Sequence, residues 1–262
     1  MSLQDKIHVN THYTRSVNLE RDADSIEVVS AYIPTSRALR TLSKIADSFH
    51  GQQTPRAWSL VGPYGSGKSS FSVFLAQLLS HPEELATKTA SRVLRSTEKS
   101  LASRYSKSNR GKNGYLKVLV TGAPEPLGQR LARGFADAAA SHWRGRRGKK
   151  PQVVKRLRAI ATAEVVSTTE LIGLIKDLQV QLVKTDATGV LLVIDELGKF
   201  LEYEARHYGA NDIYMLQALA EHACQGSEAN LLMFVLLHQS FEQYAKGLGE
   251  SLKNEWAKIQ GR

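Results

Sequence analysis

Residues 62 to 69 read GPYGSGKS and fit the phosphate-binding pattern G-x-x-x-x-G-K-[ST] at every fixed position. Before them, Ala57 to Val61 (AWSLV) reads as a strand. After them, Phe71, Phe74, Leu75 and Leu78 recur at the three-and-four spacing of a helix that begins near Lys68. A strand, a glycine-rich turn and a helix start together make a cradle of inward-pointing backbone N–H groups, with the positive end of the helix dipole behind it. Glycine at 62, 65 and 67 keeps side chains out of that cradle and lets the backbone adopt unusual angles. Lys68 is then placed to reach the β- and γ-phosphates of a nucleoside triphosphate, and Ser69 to offer its hydroxyl to Mg²⁺. Pro63, Tyr64, Ser66 and Ser70 complete the expected lining of the nucleotide. The alternative is a glycine-rich turn that binds nothing.

A second stretch, GVLLVIDELGKF at 189–200, opens with an unbroken apolar run and ends in two adjacent carboxylates. Such a run is that of a strand buried on both faces. Ligands of open parallel sheets gather at the carboxyl ends of the strands, so Asp195 and Glu196 are expected beside the phosphates. Asp195 is expected to hold Mg²⁺ through its water shell, and Glu196 to orient and deprotonate an attacking water. A general base contributes roughly 10²–10⁴ in rate, which separates a hydrolase from a passive binder. The competing reading is that the two carboxylates only cap the helix that follows, over Leu197 to Arg206.

With both stretches in hand, the chain from about residue 30 to 262 resembles the additional-strand, catalytic-glutamate division of P-loop ATPases. That division includes the AAA+ ATPases, the STAND signalling ATPases and the DNA-pumping translocases. The resemblance implies an α/β, three-layer P-loop NTPase core whose parallel sheet runs 5-1-4-3-2. Gly62 to Ser69 match its Walker A loop and Val190 to Glu196 its Walker B strand. It implies a polar sensor at the tip of the strand between those two, here Asn230 to Leu237 followed by His238, Gln239 and Ser240. Gln239 is the preferred sensor, because an amide both donates to a phosphate oxygen and accepts from water; His238 is its competitor. Adenine rather than guanine rests on the same resemblance, together with the lack of an Asn-Lys-x-Asp stretch. The segment before the first strand packs around the base in AAA+ relatives, which makes Tyr32, Ile33 and Pro34 candidate base contacts. They read equally well as an apolar staple ahead of a helix capped by Thr35.

The chain has 262 residues, enough for one large α/β domain. Lys and Arg number 35 against 25 acids, a formal charge of +10, which leaves an anionic partner open. Cys224 is the single cysteine and is expected to be a small buried helix residue. An intramolecular disulfide is therefore excluded, and a reducing, cytoplasmic setting is the simplest expectation. The longest apolar runs, such as Leu231 to Leu237, are too short to span a bilayer, so no membrane partner is expected.

The organisation expected is an N-terminal extension over 1–30 and a P-loop domain over 31–262. Ala38, Leu39, Leu42, Ile45, Ala46 and Phe49 mark one face of its first helix, and residues 81–114 form a basic helical stretch. Tyr115 to Thr121 reads as the second strand. Between strands 2 and 3 lies a helical, basic insertion over about 123–187. Its middle, WRGRRGKKPQVVKRLR at 143–158, lacks any acid. Arg144, Arg146, Arg147, Lys149, Lys150, Lys155, Arg156 and Arg158 suit a DNA or RNA backbone, with Trp143 free to stack. A solvated surface is the plainer reading of the same charges.

The last stretch, from about Ser240 to Arg262, reads as helical with Gly247 and Gly249 as interruptions. No residues remain after it for the family's fifth strand and helical lid, so the chain is expected to be the N-terminal part of a longer protein. A natural short ATPase is the alternative. Lys199 and Arg206 are candidates for contact with a neighbouring subunit, and an arginine finger is expected from a homo-oligomer or partner subunit, with Arg262 a weakly supported candidate. The function expected is an ATP-binding, ATP-hydrolysing domain of a remodelling or nucleic-acid-associated machine. The alternative is a nucleotide-dependent switch with slow hydrolysis, and a small-molecule kinase is a third, weaker reading.

Overall fold

Strand β3 (Gly189–Asp195) is buried along all seven of its residues, as its unbroken apolar run requires. In the computed structural model, which describes residues 16–49, 54–109, 111–144, 150–207 and 212–239, it pairs in parallel with β2 (Tyr115–Thr121) on one side. On the other side it pairs in parallel with β4 (Asn230–Leu237), and β4 pairs in turn with β1 (Ala57–Val61). The sheet order is thus β1-β4-β3-β2. This agrees with the expected 5-1-4-3-2 for the four strands present among the described residues. The C-terminal stretch expected to be helical lies outside them.

Alternate residues of the two central strands feed two separate cores, because a strand turns successive side chains to opposite faces. Val190, Leu192 and Ile194 of β3, with Leu231, Met233, Val235 and Leu237 of β4, face one layer of helices: α6 (Leu127–His142), α7 (Gln152–Ile160), α8 (Thr168–Val183) and α10 (Asp212–Gln225). Leu191 and Val193, with Leu232, Phe234 and Leu236, face the other layer. That layer holds α1 (Ile26–Ala31), α2 (Ser36–Asp47), α3 (Lys68–Leu78), α4 (Leu85–Thr97) and α5 (Lys99–Ser108). The result is three layers, helix on sheet on helix. The edge strands are less apolar for the same reason: β2 alternates along its length, and most of β1 is only partly covered.

The insertion expected between strands 2 and 3 is present as α6, α7 and α8, whose inward residues all join one core. Helix α2 begins at the expected cap, where the Thr35 hydroxyl accepts from the Ala38 N–H, and it buries Ala38, Leu42, Ile45 and Ala46. The basic stretch 81–114 is broken at Glu98 into α4 and α5.

The expected extension over 1–30 is described from residue 16 onward, and that part is packed into the domain. Leu19 and Val29 are fully buried, and α1 is capped by the Ser25 hydroxyl. Glu20 accepts from the Thr121 N–H at 2.6 Å and pairs with Arg130 at 2.5 Å; Asp24 pairs with Lys117 at 2.7 Å. These contacts cover the outer edge of β2, where unpaired backbone would otherwise invite another strand. Among the described residues, no helix is long and apolar enough to cross a membrane.

Candidate functional site

Because all four strands run in parallel, their carboxyl ends lie along one rim of the sheet. Backbone bonds lock the loops leaving that rim to one another. The Gly62 N–H donates to the Leu237 carbonyl at 3.1 Å, Leu197 to Leu236 at 3.2 Å, and Gly122 to Asp195 at 2.8 Å. Gly122 has no room for a side chain, since a Cβ there would lie 2.1 Å from the Glu196 carbonyl oxygen.

The glycine-rich loop enters α3 through left-handed backbone, with Gly65 at φ +74° and Gly67 at +82°. A Cβ at either position would meet nothing within 4 Å. These two glycines are therefore required by backbone conformation. At Gly62 a Cβ would come within 3.1 Å of Ser66 Oγ.

Across the rim, Ser69 Oγ donates to Asp195 Oδ2 at 2.6 Å, joining residues 126 apart in sequence. The other oxygen of Asp195 accepts from the Glu196 N–H at 2.8 Å, so this buried carboxylate is satisfied on both sides. The ammonium of Lys68 folds back into its own loop, donating to the Gly62 carbonyl at 2.6 Å and the Pro63 carbonyl at 2.9 Å, with Ser66 Oγ at 3.3 Å. Burial holds it below the ordinary lysine range, and the Asp195 charge opposes that shift.

Glu196 sits at φ 51°, in left-handed backbone rarely adopted by a residue with a side chain. Its Oε2 lies 2.5 Å from Lys199 Nζ. That hydrogen bond, outweighing partial burial, raises the Lys199 ammonium above its usual value. Lys199 thus belongs to the site, whereas its residue type and position had suggested a contact to a neighbour. The signal was available in the sequence, since Glu196 and Lys199 stand three apart at a helix start. Arg206, at the far end of α9 (Gly198–Arg206), is exposed.

At the tip of β4, His238 stacks against Tyr64 of the loop, with ring centroids 3.4 Å apart and planes 21° from parallel. Both ring nitrogens of His238 are buried without a hydrogen-bond partner among the described residues. Burial, reinforced by the charge of Lys68, holds its pKa below the ordinary histidine value, with Glu196 and Asp195 acting the other way. Gln239 follows, half-buried, and makes no side-chain hydrogen bond to a described residue. The strand end therefore brings His238 against the loop. Ser240 and Arg262 lie outside the described residues.

Two hard oxygen donors, the Ser69 hydroxyl and the Asp195 carboxylate, meet at the start of α3, and that donor set suits Mg²⁺. Among the described residues no cluster of three or more His, Cys, Asp or Glu could hold a metal by itself. An ion here would be completed by water and phosphate oxygens, as Mg²⁺ commonly is.

Other expected contacts fare differently. Tyr32 stacks on Phe74 of α3 at 4.5 Å, and burial pushes its phenol up to about 12, which fits the anchoring reading. Ile33 stands 77% exposed. Trp143 is half-buried. It packs against the core, and its ring meets His142 edge-on at 4.7 Å, because α6 ends with that face turned inward. Lys155, Arg156 and Arg158 occupy the solvent face of α7, whose opposite face buries Val153, Val154 and Leu157; Arg156 pairs with Asp177 at 3.2 Å. Arg144 and Lys150 flank residues 145–149, so Arg146, Arg147 and Lys149 fall outside the described residues. Cys224 is half-buried, a correction to its expected full burial, since α10 turns that position away from the core. No protein-family model, no curated protein and no solved structure matches this chain.

Proposed function

We propose that this chain binds ATP with Mg²⁺ at the Gly62–Ser69 loop and hydrolyses its terminal phosphoanhydride bond, as a P-loop ATPase of the additional-strand, catalytic-glutamate division. The observation that carries this reading is the 2.6 Å bond between Ser69 and Asp195, which unites the two motifs in one place. The β1-β4-β3-β2 order supports it as well.

In this reading Lys68 exchanges its loop carbonyls for β- and γ-phosphate oxygens, which are stronger acceptors. Backbone N–H groups of residues 65 to 70 and the start of α3 meet the remaining charge. Ser69 and Asp195 hold the cation, which neutralises charge building on the phosphates and fixes their geometry. Glu196 takes a proton from the attacking water once it has left Lys199. His238 or Gln239 reads the γ-phosphate from the β4 tip. Adenine is the base by resemblance alone.

The output is remodelling, on nucleic acid or another partner, or a switch. The ion pair holding Glu196 and the inward fold of Lys68 must both be undone before turnover, and either output can meet that requirement. A lone, half-buried cysteine fits a reducing, cytoplasmic setting.

The deciding experiment follows ATP binding by calorimetry and phosphate release by a coupled assay, with and without DNA or RNA. Lys68→Ala is expected to weaken ATP binding, and Glu196→Gln to retain ATP while cleavage stops. No heat with any nucleotide would end the reading. Stimulation by nucleic acid selects the remodeller, and indifference selects the switch.

A further inference from the structure

At the amino ends of β2 and β3, away from the Ser69–Asp195 rim, a cavity of about 370 Å³ opens between the C-terminus of α3, α4 and the end of α5. That volume lies in the range of small-molecule sites. Its floor is built from buried groups: Leu78 and Tyr105, each 2% exposed, with Thr87 and Asn109 at 4%. Its rim carries Lys88, Arg92 and Arg95, which stand four and three apart and so share one face of α4. None of its described lining residues is acidic.

The polar groups here are donors with few protein acceptors. Lys88 pairs with the exposed Glu83 at 2.7 Å, whereas Arg92 and Arg95 have no ion pair among the described residues. The Asn109 amide oxygen is taken by Thr188 Oγ1 at 2.9 Å, which leaves its NH₂ group to donate. The buried Thr87 hydroxyl has no hydrogen-bond partner among the described residues. Two guanidinium forks with no carboxylate partner among the described residues suit the oxygens of a phosphate dianion. A concave surface pocket suits a small molecule, while a nucleic-acid strand would track an extended row of cations.

We propose that this cavity is a second ligand site, which takes a phosphorylated small molecule with its phosphate gripped by Arg92 and Arg95. It stands apart from the nucleotide reading, because Leu78 and Lys68 are at opposite ends of α3, about 15 Å from one another.

The test titrates the full chain carrying Lys68→Ala, so that the loop does not compete, with inorganic phosphate, glucose 6-phosphate and AMP, with glucose as control. Amide NMR shifts report the site. The esters are expected to shift α4 and Asn109 amides, and glucose is not. Arg92→Gln with Arg95→Gln is expected to weaken the esters tenfold or more. Both positions are exposed, and an unchanged melting temperature verifies the fold. Arg95→Lys, which keeps the charge but loses the fork, is expected to weaken them by a smaller factor. Absence of binding by all three phosphates, or binding indifferent to the double substitution, overturns the proposal. A single-stranded DNA 12-mer that shifts these amides at lower concentration than the esters also overturns it, in favour of a nucleic-acid contact.

Discussion

Lys199 Nζ lies 2.5 Å from Glu196 Oε2, so the expected general base is held by a cation from the helix that follows it. The Lys199 side chain is half exposed, and an ion pair of that kind contributes at most about 1 kcal/mol. The restraint is therefore weak enough for a bound substrate to break.

Lys199→Met is expected to raise phosphate release several-fold with ATP affinity unchanged, read by single-turnover kinetics beside calorimetry. Glu196→Gln is expected to lower release by roughly 10²–10⁴. A fall in turnover with Lys199→Met would mean that Lys199 orients Glu196 for the reaction.

Ser69→Ala removes the donor to Asp195 Oδ2, whose residue is 5% exposed. A buried acceptor left without its donor costs about 1–3 kcal/mol, so the melting temperature without ligand should fall. Affinity for ATP with Mg²⁺ should drop more than affinity measured in excess chelator. Equal losses would separate Ser69 from the cation.

Gly122→Ala and Gly173→Ala should act in opposite directions. A Cβ at 122 meets the Glu196 carbonyl at 2.1 Å, and backbone must move, at a cost of about 1–3 kcal/mol. A Cβ at 173, in the exposed interior of α8, meets nothing within 4 Å and should add about 0.5–1 kcal/mol through helix propensity. Denaturant midpoints measure both.

Acidification should destabilise the fold through His222. Its Nε2 donates to Gln179 Oε1 at 2.7 Å, since the Gln179 amide nitrogen already donates to Ser227 and Ala229. Its Nδ1 is buried without a partner, so protonation there would strand a donor. Burial, with Lys176 adding to it, lowers the folded-state pKa below the ordinary 6.5. The unfolded chain then binds more protons, and stability rises with pH. The His222 contribution is complete above about 6.5 and is lost as pH falls through the lower folded value. His238, shifted in the same direction, adds to the trend. Melting temperature should fall between pH 7.5 and 5.5 in the parent, on the order of a degree or more, and fall less in His222→Gln.

Much of the fold was legible because its signals are local. The apolar run at 189–195, the spacing of Phe71, Phe74 and Leu78, and the cap at Thr35 each depend on neighbours in sequence, and their elements form within a residue or two of expectation. Helix α1 was missed because only Val29 among its residues is buried, too little for a periodic stripe. The loop and the two carboxylates were legible as motifs. The Tyr64–His238 stack and the inward turn of Trp143 were not, since each depends on what another element brings to it.

The amino-acid sequence by itself determined all four strands, the glycine-rich loop and most of the helices, and which residue types stand at the strand ends, because backbone propensity and side-chain period act over a few residues. Only the tertiary structure decided that Ser69 reaches Asp195, that Lys68 is folded into its loop and that Arg92 and Arg95 line one surface pocket. Those relations follow from the order in which distant strands pair, and parallel pairing joins segments whose separation no local pattern records.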